Sequence, residues 1–64
     1  MTNREIERRA REFSERYGPE AAAMAEAQAV EAASAGDDGA QADWEKVAAR
    51  IRDLRAGTIP SSFC

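Results

Sequence analysis

Between residues 38 and 56 the apolar side chains Trp44, Val47, Ala48, Ile51 and Leu54 recur at steps of three and four. That spacing lines them up along one face of an α-helix, with Lys46, Arg50 and Asp53 off the stripe; a strand, with its period of two, cannot produce it. The stretch predicts a helix over about 39–56. Asp38 and Gln41 stand at the spacing of a capping box, which satisfies two orphan amides at a helix start, and Gly57 supplies the stop. Asp38, Asp43 and Glu45 lie early and Arg50, Arg52 and Arg55 late, the order that complements a helix dipole.

The chain before this stretch divides at two breaks. Thr2 and Glu5 repeat the capping-box spacing, so a first helix is expected over about 3–17, with Ile6, Ala10, Phe13 and Tyr17 on one face. The other faces are charged. Glu5 and Arg9, Glu7 and Arg11, and Glu12 and Arg16 stand with the acid four residues before the base, the favourable order for pairs within an exposed helix. Gly18-Pro19 interrupts: glycine takes backbone angles closed to other residues and proline suits the first turn of a new helix. A second helix is expected over about 19–35. Its alanines recur every three or four residues, at 21, 25, 29 and 33 and at 22, 25, 29 and 32, and such rows let helix axes approach closer than the usual 8–10 Å or so. Met24 and Val30 carry its little bulk. The turn Ser34-Ala35-Gly36-Asp37-Asp38-Gly39 is read with Gly36 as a left-handed C-cap and Asp38 as the N-cap of the third helix, which makes the second and third helices antiparallel neighbours.

These elements predict an all-α fold: a small three-helix bundle, or a helical hairpin with an extra N-terminal helix, over residues 1–57, followed by a tail at 58–64. Ile6, Phe13, Trp44, Val47, Ile51 and Leu54 are the expected core. In a chain of 64 residues such a core is small, because only about 60% of the unfolded surface is buried at this size. Domains this small are commonly held by disulfides, a metal or self-association. Cys64 is the only cysteine and there is no histidine, so an intrachain disulfide and the common zinc sites are excluded. Self-association or docking on a partner remains. The expected contact surface comprises Met24, Ala25, Ala29, Val30 and Ala32 together with Ile59 and Phe63 of the tail.

The missing chemistry narrows the function. Without histidine there is no Ser-His or Cys-His pair. The four glycines punctuate helices and form no phosphate loop, and an alanine-filled bundle has little room for a pocket that would perturb a carboxylate pKa. Two adjacent acids in a tight turn fall short of the twelve or so residues of an EF-hand loop. The expectation is therefore no enzymatic activity, no cofactor and no metal. The formal charge of −3 is spread unevenly, and no segment is basic enough to stand alone as a nucleic-acid surface. The middle of the chain carries Glu26 and Glu31 and is mostly alanine, unlike a membrane span. Met1 is followed by a charged segment and not by an apolar signal sequence, so a cytoplasmic location is expected. One Lys against eight Arg, with abundant Ala, is the composition of a GC-rich bacterial genome.

Ala35-Gly36-Asp37, Gly39, Trp44, Val47-Ala48, Ile51 and Leu54, preceded by Gly18 and an alanine-rich helix, resemble the pattern of a group of short alphaproteobacterial proteins of unknown function, over most of residues 4–56. The resemblance implies a helical fold in a bacterial cytosol and no active site. The second and third helices also resemble one tetratricopeptide-like hairpin, of which about three are needed to bury a continuous core. The leading expectation is a small non-catalytic interaction module, either a homo-oligomer or an accessory subunit of a larger bacterial assembly. One alternative is a nucleic-acid-associated regulatory module using Arg4, Arg8 and Arg11, which share a face of the first helix; another is an antitoxin-like inhibitor, on the strength of small size, acidity and an apolar tail.

Overall fold

The computed structural model describes residues 1–56; the expectations placed on Gly57, Ile59, Phe63 and Cys64 lie outside the described residues. Helix α1 spans Asn3–Tyr17, a single 3-10 turn spans Gly18–Glu20, and helices α2 and α3 span Ala21–Ser34 and Asp38–Ala56. There is no strand among the described residues, and the three helices pack against one another as an all-α bundle.

Each boundary has a local cause. At the start of α1 the amide of Glu5 donates to Thr2 Oγ1 at 3.2 Å and the amide of Thr2 donates to Glu5 Oε1 at 3.4 Å, so both halves of the capping box form. Gly18 ends α1 at φ 59°, ψ −127°, a combination open in practice to glycine alone, and Pro19 follows within the 3-10 turn. After α2 the amides of Gly36 and Asp37 donate to the carbonyls of Ala33 and Ala32 at 3.0 and 2.9 Å. This is a Schellman motif, and its left-handed residue is Gly36 at φ 78°. The N-cap of α3 corrects the sequence reading by one position. Asp37, not Asp38, accepts from the amide of Ala40, at 3.0 Å, and the side chain of Gln41 donates to Glu45 at 3.2 Å instead of closing a box. Asp37 thereby closes one helix end and opens the next, which holds the link between α2 and α3 to three residues and turns the chain back on itself.

Contacts between helices fix the order. Arg52 pairs with Glu26 and Arg55 Nη1 donates to the carbonyl of Pro19 at 2.9 Å, so the end of α3 lies beside the start of α2 and the two run antiparallel. Glu7 of α1 pairs with Arg50 of α3. This corrects the expected pairing: among the described residues none of Glu5–Arg9, Glu7–Arg11 or Glu12–Arg16 forms an ion pair, because the in-helix geometry adds only about 0.2–0.5 kcal/mol and Arg50 reaches Glu7 from across the bundle.

The interior is built from Ile6 and Ala10 of α1, Ala21 and Ala25 of α2, and Val47, Ala48 and Ile51 of α3. Four of these seven are alanines. Their methyl groups let the backbones approach, and Val47 and Ile51 are the largest side chains fully removed from solvent. Phe13, Tyr17, Trp44 and Leu54 pack against this centre as a partly buried rim. Trp44, like Phe13 and Leu54 expected in the core, thus sits at its edge. Its ring lies 5.6 Å from that of Phe13, Phe13 meets Tyr17 edge to face at 5.1 Å, and the Arg9 guanidinium stands 5.6 Å from the indole centroid. A tryptophan that shares a cation–π contact with an arginine has no need of full burial.

Candidate interaction surface

Helix α2 departs most from an ordinary surface helix. A bundle helix normally turns polar residues outward, but ten of the fourteen residues of α2 are Ala, Val or Met with apolar positions on every side. Two faces must therefore be told apart. Ala21, Ala25 and Ala29 point inward and are at most 5% exposed; with Ala29 beside Val30 at the α2–α3 seam, this row serves the bundle itself. The assignment of Ala25 and Ala29 to a partner interface is thereby corrected, since their surface is already covered within the chain. Ala32 and Met24 are half-buried, and Val30 is 65% exposed.

Around Val30 the outer face of α2 carries Ala23 and Ala27, both exposed, two turns and one turn before it. Every row of α2 contains alanine, which hides these two in the sequence; the signal that finds them is a row, Ala23, Ala27 and Val30, that is exposed without a polar residue although Glu26 and Glu31 stand exposed on either side of it. Between α2 and α3 runs a groove of about 600 Å³, open to solvent, lined by Glu26, Ala29, Val30, Ala33 and Ser34 on one side and by Gln41 and Glu45 on the other. Its floor is apolar and both walls bear carboxylates. A second hollow lies along α1 among Arg9, Glu12, Phe13, Glu15 and Arg16.

Charge divides the molecule unevenly. From Gly18 to Glu45 there are seven carboxylates and no basic side chain. Glu26 is matched by Arg52 and Asp43 by the Met1 amino group; Glu20, Glu31, Asp38 and Glu45 have no ion-pair partner among the described residues. On α1 the arginines Arg4, Arg8 and Arg11 are exposed and share their row with Glu15. Two neighbouring acids are committed elsewhere, Glu5 to the cap and Glu7 to Arg50. Among the described residues no group of three or more acidic or cysteine side chains is placed to hold a metal ion, and no helix is long and apolar enough to cross a membrane.

No protein-family model, curated protein or solved structure matches the chain.

Proposed function

We propose that the protein is a small, non-catalytic helical interaction module, acting in the bacterial cytoplasm as a self-associating unit or as an accessory subunit of a larger assembly. The observation that carries this reading is the outer face of α2: Ala23, Ala27 and Val30 stand in solvent where a free-standing bundle would place polar groups. The small core gives the same direction a thermodynamic motive. With alanines making up most of the buried centre, apolar burial only narrowly offsets the conformational entropy of ordering the chain, and surface covered by a second chain adds to the favourable side. The arginines and glutamates of α1 belong at the rim of such an interface.

The test is the mass in solution across a range of protein concentrations, with reductant present, together with capture of complexes from the source cell. The expected result is a mass above that of the monomer, or a monomer recovered in a defined complex, with the melting temperature rising with protein or partner concentration. A monomer at all concentrations, recovered with no partner and melting cooperatively at a fixed temperature, overturns the reading.

The commitment of Glu5 and Glu7 away from the arginine row favours one second reading, a regulatory module contacting nucleic acid through Arg4, Arg8 and Arg11. Three phosphate contacts make binding fall steeply with salt, with a slope of roughly −0.9 per contact on duplex DNA. Absence of any mobility shift on DNA or RNA at low salt removes it.

A further inference from the structure

The α2–α3 groove has a chemistry that selects among partners, and we infer that it docks a positively charged amphipathic helix of another protein. This rests on the interaction-module reading and chooses between its two forms. Val30 at 65% exposure and Ala33 offer an apolar strip that one row of a helix at i, i+3, i+4 spacing can cover. Glu45 on the α3 wall has no ion-pair partner among the described residues, while Glu26 on the α2 wall shares its charge with Arg52; both belong to the stretch 18–45, which also holds Glu31 and Asp38 and contains no basic residue. Basic residues beside the apolar row of the docked helix would meet this net negative charge, Glu45 first, which steers association and fixes its register.

A second copy of the chain does not supply that helix. Placing α2 against α2 of a twofold mate brings together two helices that each carry Glu26 and Glu31 and no basic residue, offset only by Arg52 at Glu26, and like charges across an interface oppose it. The exposed basic row of the chain, Arg4, Arg8 and Arg11, carries Glu15 in line and no apolar side chain to lay on Val30. The outward positions of α3, Ala42, Lys46, Ala49 and Asp53, mix signs and offer no apolar side chain larger than alanine. The occupant that fits is a different protein with lysines or arginines flanking a leucine-like stripe.

The probe is a Leu–Lys peptide of about five helical turns with its leucines on one face, titrated into isotopically labelled full-length chain and followed by amide chemical shifts. Controls are a scrambled peptide of the same composition and a Leu–Glu peptide of the same pattern. The expected result is a set of shifts centred on Ala27, Val30, Ala33 and Glu45, binding that weakens as salt rises, and at least about a tenfold loss of affinity in Val30→Asp. Val30 is exposed, so that variant should keep its helical circular dichroism; a Glu31→Gln/Glu45→Gln double variant, which leaves the apolar strip untouched, should weaken binding as well. Equal binding by the scrambled or Leu–Glu peptides, shifts centred on the Phe13 hollow, or no shift at all would overturn the proposal. Concentration-dependent shifts on α2 without peptide would overturn it too, while leaving the interaction-module reading in place, because a second copy would then occupy the groove.

Discussion

Replacing Ile51 by alanine should leave the isolated chain largely unfolded at room temperature. Ile51 is fully buried and is, with Val47, one of the two largest side chains wholly removed from solvent, touching the seam where all three helices meet. Isoleucine-to-alanine changes in a core cost about 2–5 kcal/mol, partly as lost transfer energy and partly as a cavity that the surroundings fill incompletely. Alanines around the site have no spare side-chain length with which to collapse into the gap, which places the cost in the upper half of that range. A core of this size supplies about 3–5 kcal/mol in total. Denaturation by urea, followed by far-ultraviolet circular dichroism, reads the effect, with Ile51→Val as the graded comparison at about 0.5–1.5 kcal/mol. A midpoint unchanged in Ile51→Ala would mean that the three helices do not meet at this residue.

The second large effect is expected at Gly18, through the backbone. A Cβ built there meets nothing within 4 Å, so no clash contributes, yet the residue holds φ 59° and ψ −127°. Conformations of this kind cost a residue with a side chain on the order of 1–3 kcal/mol. Gly18→Ala should therefore lower stability by that amount, measured by the same urea titration. Gly36→Ala should cost about 1–2 kcal/mol, since the left-handed region is less forbidding. If Gly18→Ala melted like the parent, the junction of α1 and α2 would have to adopt a different path.

These two sites show how far the sequence could be read. Gly18-Pro19 was legible as a break because both residues carry their backbone constraints with them, and the Thr2–Glu5 box was legible because its partners lie three residues apart. The stripe from Trp44 to Leu54 gave helix α3 its inward face for the same reason of short range. The cap of α3 was misplaced because Asp37 and Asp38 are chemically equivalent neighbours; only the path imposed by the Schellman turn decides which one reaches the amide of Ala40. The pairing of Glu7 with Arg50 lay beyond local reading, as 43 residues separate the partners. Trp44 was drawn too deep because size was taken as a proxy for depth, when the space between helices spaced by Ala10, Ala21 and Ala25 has no room for an indole. In α2 the inward and outward rows are both alanine, so periodicity could not separate Ala25 and Ala29, which the bundle covers, from Ala23 and Ala27, which it leaves in solvent.

An alanine-lined interior also sets the shape of the stability curve. Heat capacity rises on unfolding in proportion to newly wetted apolar area, at ~12–15 cal/mol/K per residue in ordinary domains, and methyl groups expose less such area than the leucines they replace. The unfolding enthalpy of so short a chain is correspondingly small, on the order of 40 kcal/mol. The melt is consequently broad and the curve flat, and each kilocalorie of added free energy moves the midpoint by roughly 8 °C. A partner present at a hundred times its Kd, contributing about 2.7 kcal/mol, would raise the midpoint by on the order of 20 °C. In this protein, calorimetric midpoint is an unusually sensitive reporter of occupancy.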